Sequence, residues 1–325
     1  MDALSHIGLW ADGRLTPLNS FENRVYLAHL DEPIEGHTAV VLKFYRPERW
    51  TDAQIEEEHR FSLELAADEV PVVPPLMLQN RSLHHHEGFR FSVSPRRGGR
   101  RPELDDPDVL EWTGRFIARL HNVGARSAFV HRPTLSMAQH GQATVDWLLG
   151  HEVLPLDVQS RWSDAARLAL ATVAEVAPEL DAPTHQLRLH GDCHPGNVLW
   201  TPSGNVGEGP HFVDLDDALT GPAVQDLWML LPGGDRQDQP YKLSALLDGY
   251  TQVRSFNQQQ LRWIEPLRTL RLIHYSGWLA RRWNDPAFPA NFPWFGSSAY
   301  WLDQIQVLQE QVNAMQEPVW GQFQG

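Results

Sequence analysis

His190-Gly191-Asp192-Cys193-His194-Pro195-Gly196-Asn197, followed after a gap by Phe212-Val213-Asp214, is the stretch on which the reading of this chain turns. It sets an acid, an amide five residues later, and a second acid closing an apolar strand. Phosphoryl transfer from a magnesium nucleotide needs such a set. Asp192 would accept or orient the proton of an attacking hydroxyl, while Asn197 and Asp214 would hold the metal that bridges the phosphates.

The same spacing of Asp and Asn, with a metal-binding Asp on the next hairpin, marks the catalytic loop of kinases. Size and composition fit such an enzyme: 325 residues, 42% hydrophobic and 21% charged, suffice for one large domain or two lobes. Against 27 basic residues stand 41 acidic ones, a net charge of −14. That balance argues against nucleic-acid and anionic-membrane partners, which need clustered Lys and Arg. Cys193 is the only cysteine, so no internal disulfide and no Cys-built zinc site is expected, and a reducing compartment fits. The first residues lack the basic start and apolar run of a secretory signal, and apolar runs such as 227–231 are far too short to span a bilayer. A cytoplasmic location is the expectation.

Outward from the decisive segment, strand-like runs at 187–189 and 211–213 flank it. The N-terminal part reads as β-rich, with strands at 24–30 and 38–44 and a helix opening at Thr51 and Asp52. A hairpin runs through 82–83 and 89–93, with His84-His85-His86 expected in its solvated turn. Residues 91–94 read as the hinge whose backbone meets adenine, and 94–102 has the Pro, Gly and Arg content of a linker. Beyond it the chain turns helical: Trp112, Phe116, Ile117 and Leu120 recur at helix spacing, as do Leu267, Leu270, Ile273 and Leu279. No internal repeat is found. The expected fold is α+β and two-lobed, protein-kinase-like. Residues 1–94 would form a small β-rich nucleotide-binding N-lobe and 95–325 a larger helical catalytic and substrate C-lobe, with the nucleotide in the cleft between them.

His-x-Asp-x-x-x-x-Asn followed by Val-Asp resembles the signature of the aminoglycoside phosphotransferase and choline kinase superfamily. The stretches 18–26, 43–50, 212–218, 221–231 and 283–289 resemble, more narrowly, its bacterial stress-response protein kinase branch. This resemblance covers nearly the whole chain. It implies an aminoglycoside-phosphotransferase type of fold and an ATP- and Mg2+-dependent serine/threonine protein kinase of the bacterial cytoplasm. The acceptor would be a Ser or Thr of a protein, the enzyme itself among the candidates. Spacing and composition do not supply that acceptor class; the resemblance does.

Lys43 ends an apolar strand, where a buried cation needs a partner. On the kinase reading it meets the α/β phosphates, braced by a helix glutamate. The resemblance places that glutamate at Glu58, with the adjacent Glu57 as the alternative. Read alone, Lys43 is more simply a lysine snorkelling from an edge strand. No Gly-x-Gly-x-x-Gly lies near the first hairpin; Asn19-Ser20-Phe21-Glu22-Asn23 takes that place, as in the superfamily. Its backbone N–H groups and the Ser20 hydroxyl are candidate phosphate donors, although by itself the segment is an ordinary turn.

His190 reads as a brace for the loop, and Asp226 as a helix cap or loop anchor. Asp216 and Asp217 are metal-tuning, substrate-binding or solvated loop acids. Arg271, His274, Trp278 and Arg282 share one helix face, either toward the acceptor or in an internal ion-pair network, the second being favoured. Three other functions compete. A small-molecule alcohol kinase of aminoglycoside, choline or homoserine type shares the chemistry. A pseudokinase would have lost one of Lys43, Asp192, Asn197 or Asp214, and none is lost. A zinc hydrolase built on His190, Asp192 and His194 leaves Lys43, Asn197 and Asp214 unexplained.

Overall fold

A computed structural model describes residues 1–202, 204–205, 207–231 and 238–317. A short helix, α1 (Asp2–His6), leads into three strands, β1 (Ala11–Leu18), β2 (Arg24–Ile34) and β3 (His37–Phe44). Helix α2 (Asp52–Ala67) and the hairpin β4 (His84–His86) and β5 (Phe89–Pro95) complete the N-lobe. The five strands form one antiparallel sheet in the order β1-β2-β3-β5-β4. Side-chain alternation puts Ala28, Val40, Leu42, Phe91 and Val93 on its buried face, where Leu4, Ile7, Leu76 and Leu78 cover them.

Thr51 starts α2 with a capping box: its hydroxyl accepts from the Gln54 N–H, and the Gln54 side chain accepts from the Thr51 N–H. The helix serves both lobes. Ile55 packs with Tyr45 and Leu83, whereas Phe61 and Leu65 enter the large C-terminal core. Buried Arg188 reinforces that attachment, pairing with Glu64 at 2.7 Å and lying over the Phe61 ring at 4.5 Å.

The C-lobe comprises α3 (Pro107–Gly124), α4 (Ala143–Gly150), α5 (Leu156–Val176), α6 (Val224–Trp228), α7 (Gln239–Thr251), α8 (Ile264–Arg281), α9 (Ala287–Asn291) and α10 (Ser298–Gln316). Its core gathers Ile117, Trp162, Phe212, Leu227 and Trp301. Between α5 and α6 run four short strands, β6 (Gln186–Leu189), β7 (Val198–Thr201), β8 (Gly209–Phe212) and β9 (Leu219–Pro222). They pair as two ribbons, β6 with β9 and β7 with β8. The terminal pairs, Leu189 with Leu219 and Val198 with Phe212, bring the connections 190–197 and 213–218 to the same end. That register sets the candidate acids side by side. No helix among the described residues is long and apolar enough to cross a membrane.

The α+β, two-lobed expectation holds, with two local corrections. His84-His85-His86 is not a solvated turn but the edge strand β4, the turn being Glu87-Gly88, both at positive φ. Strand alternation buries His84 against the Phe91 ring and turns His85 out toward Asp52. Residues 91–94 are the body of β5, laddered to β3, so the strand ends only at Pro95.

Candidate active site

The loop after β6 needs glycine at position 191. Its φ is +83°, and a Cβ there would lie 2.2 Å from the Asp217 carbonyl oxygen. Asp226, 1% exposed in α6, holds this turn from beneath. Its carboxylate accepts from the backbone N–H groups of His190 and Gly191, each at 2.9 Å, and from His121 Nε2 at 3.1 Å. His190 itself donates through Nε2 to the Val213 carbonyl at 3.0 Å, and the Val213 N–H donates to the Asn197 carbonyl at 3.0 Å. Loop anchor and brace are thus the observed places of Asp226 and His190.

Asp192 and Asn197 meet directly. The Asn197 amide nitrogen donates to the Asp192 carbonyl at 3.0 Å and lies 3.4 Å from its Oδ2. Asp214, one residue beyond Val213, sits in the left-handed region at φ +61°. Its side chain is 49% exposed and takes Lys43 Nζ on Oδ1 at 2.5 Å. Burial disfavours the Lys43 charge, but Asp214, Asp216 and Glu58 outweigh it and hold the pKa above the usual lysine value.

The two glutamates of α2 separate cleanly. Glu57 accepts from the backbone N–H groups of Val130, His131 and Arg132 at 2.6–2.7 Å, which secures a C-lobe loop. Glu58 is buried on the Lys43 side of the helix. Burial, with Asp216 and Asp214 nearby, raises its pKa to about 7 against the pull of Lys43 and Arg132. Lys43 forms its ion pair with Asp214, and Glu58 acts on it at longer range.

The turn at Ser20 is tied into the same centre. Ser20 Oγ accepts from the Asn23 N–H at 3.2 Å, and buried Asn23 donates through Nδ2 to Asp216 at 2.9 Å. Asp216 is no solvated loop acid: it is 4% exposed, and Arg49 forks across it and Asp217. Burial raises the Asp216 pKa, but Lys43, Arg49 and the Asn23 hydrogen bond outweigh it and hold it down at about 2.

The donors here are oxygens: Asp214, Asp192 and the Asn197 side-chain carbonyl. Such a set suits Mg2+, which binds few protein ligands and takes the rest from water and phosphate. Among the described residues no group of three or more His, Cys, Asp or Glu could hold a metal ion by itself. His190 Nε2 already donates to the Val213 carbonyl, and His194 Nδ1 accepts from the Gly196 N–H at 2.9 Å.

The sequence pattern of the phosphotransferase enzyme family matches residues 14–292, an interval that takes in every residue of this site. The chain belongs to that family. This phosphotransferase is 44% identical over 319 residues to stress response kinase A of Escherichia coli strain K12, covering 98% of this chain and 93% of that protein. It is 43% identical over 318 residues to the serine/threonine protein kinase RdoA of Salmonella typhimurium strain LT2, with the same coverage. The solved complex of an amicoumacin kinase with AMP-PNP, Ca2+ and Ami aligns over 97% of this chain and 92% of that one. Its TM-score is 0.69 at 16% identity, a likeness of fold.

The α8 face of the phosphotransferase divides between the two expected roles. Trp278 Nε1 donates to Glu22 at 2.7 Å and Arg282 Nε, just past the last turn of α8, pairs with the same carboxylate at 2.6 Å, so the C-terminal end of α8 grips the Ser20 turn. Arg46 joins by pairing with Glu22 at 3.2 Å and Asp285 at 2.8 Å. His274 packs against His140, and burial lowers its pKa to about 3. Arg271 alone of the face reaches Asp192, at 2.9 Å. Sequence reasoning assigned no site role to Glu22, Arg46 and Arg49. Their one signal was that they lie within 18–26 and 43–50, stretches that carry the family resemblance.

Proposed function

We propose that the protein is an ATP- and Mg2+-dependent serine/threonine protein kinase working in the cytoplasm as part of a bacterial stress response. The observation that carries the acceptor class is the likeness, over 98% of the chain and at 43–44% identity, to relatives named stress response kinase A and serine/threonine protein kinase RdoA. The identity to the amicoumacin kinase is only 16%.

In this reading Asp192 accepts the proton of the acceptor hydroxyl as its oxygen attacks the γ-phosphorus and ADP leaves. The braced loop supports the role by fixing Asp192 at the cleft with Asn197 beside it. Lys43 meets the α/β phosphates with Glu58 behind it, and the Ser20 turn covers them. Asn197 and Asp214 are the residues that would hold Mg2+, which when bound neutralises charge on the phosphates. Residues 1–94 act as the nucleotide-binding lobe and 95–325 as the catalytic and substrate lobe.

The test is transfer of labelled γ-phosphate from Mg-ATP, wild type beside Asp192→Ala. Acceptors are the enzyme itself, a generic protein, aminoglycosides and choline. Asp192-dependent label on protein Ser or Thr is the expected result. Label on a small alcohol alone would overturn the acceptor class, and full activity of Asp192→Ala would overturn the base.

A further inference from the structure

The two carboxylate oxygens of Asp192 are engaged differently. Oδ2 faces the Asn197 amide at 3.4 Å and His194 Nε2 at 3.5 Å, both from its own loop. Oδ1 lies 2.9 Å from an Arg271 guanidinium nitrogen, but out of line for a hydrogen bond. This cation arrives from α8, because residues 190–197 contain no Lys or Arg. It is also loosely held: the Arg271 side chain is 43% exposed.

Five other acids around the cleft have cationic partners. Asp214 has Lys43, Asp216 and Asp217 have Arg49, Glu22 has Arg282, and Asp285 has Arg46. A cationic acceptor therefore meets paired carboxylates and a guanidinium placed over the base. An anionic acceptor meets a half-exposed arginine whose present partner is easily exchanged.

We propose that Arg271 is a specificity-determining residue that selects an acidic peptide segment, one with a carboxylate beside the Ser or Thr hydroxyl. This rests on the protein-kinase reading of the site. The acceptor's carboxylate takes the guanidinium in a forked pair and draws it off Asp192 Oδ1. That oxygen then receives the hydroxyl proton, while the acceptor oxygen bonds the γ-phosphorus and the bond to the β–γ bridging oxygen breaks to release ADP. A Lys- or Arg-flanked hydroxyl leaves the pair closed and adds repulsion.

The test uses matched serine peptides with acidic, neutral and basic flanks, and 3-hydroxybutyrate beside choline as small alcohols. Wild type, Arg271→Gln and Arg271→Glu are compared in kcat/KM with Mg-ATP and in affinity for the Ser→Ala peptides by fluorescence anisotropy. Wild type should favour the acidic over the basic peptide by about tenfold in both, the size of one charge-assisted hydrogen bond. Arg271→Gln should level the order and Arg271→Glu should reverse it.

Equal treatment of the three peptides by wild type, or an order unchanged in Arg271→Glu, would overturn the assignment while leaving protein phosphorylation intact. If label appears only on the anionic small alcohol, with the same dependence on Arg271, the protein-acceptor reading falls and the role of Arg271 stands. Should nothing be labelled, the affinity order decides.

Discussion

Asp226→Ala removes the buried carboxylate on which the candidate catalytic loop rests. In the folded protein it accepts from two backbone N–H groups, of His190 and Gly191, and from His121, at 2.9–3.1 Å. At 1% exposure little bulk water is available to replace it. A buried donor left without an acceptor costs about 1–3 kcal/mol, and three donors lose theirs here. Relief of the buried carboxylate's own desolvation offsets part of the three-donor loss, so a destabilisation of about 3–5 kcal/mol is expected. Catalysis should suffer beyond stability, because a displacement of about 1 Å in the loop is worth roughly 10²-fold in rate.

The assay is urea unfolding together with kcat for phosphotransfer, measured where the variant is still folded. Asp192→Ala is the control. It should change stability by less than about 1 kcal/mol, since its side chain is partly exposed and supports no backbone, yet lower kcat by about 10²–10⁴-fold. Asp226→Ala within about 1 kcal/mol of wild type, and with kcat within about threefold, would refute the reasoning.

Three further outcomes follow from the same geometry. Asp214→Ala should weaken nucleotide binding in the presence of Mg2+ by about tenfold or more and flatten its metal dependence; calorimetric titration with and without Mg2+ checks this, and an unchanged affinity would count against the metal role. Glu22→Ala frees the Ser20 turn from Trp278 and Arg282 and should raise the nucleotide KM by about tenfold with kcat within about threefold; steady-state kinetics decide it, an unmoved KM being the contrary result. Glu58 carries a folded-state pKa of about 7 against the ordinary 4.5, so between those values the folded chain holds a proton that the unfolded chain has lost. Stability therefore falls as pH rises through that window, by about 3 kcal/mol in full, and Glu58→Gln should lack the fall. Parallel urea-midpoint profiles for wild type and variant across it would contradict the burial of Glu58.

The local part of this site was legible in the amino-acid sequence because the spacing within 190–197 and the strand before Asp214 act over a few residues. So were the Thr51 cap, the main strands and the long α8 run, each dictated by short-range periodicity or capping. The sorting of neighbours was not. Glu57 and Glu58 are adjacent and chemically identical, yet α2 turns one to the N–H groups of 130–132 and the other toward Lys43. His84-His85-His86 looks solvated by composition, but pairing with β5 buries its first ring.

What the sequence by itself determined was the chemistry available: an acid, an amide, a second acid and a lysine on recognisable elements. The tertiary structure alone decided which charges meet. Asp226 under His190, Arg49 across Asp216 and Asp217, Glu22 in the grip of α8 and Arg271 over Asp192 are pairings between distant segments. Periodicity acts along a few residues of one element, whereas the partner of a buried charge is set by how separate elements pack and what each leaves unsatisfied.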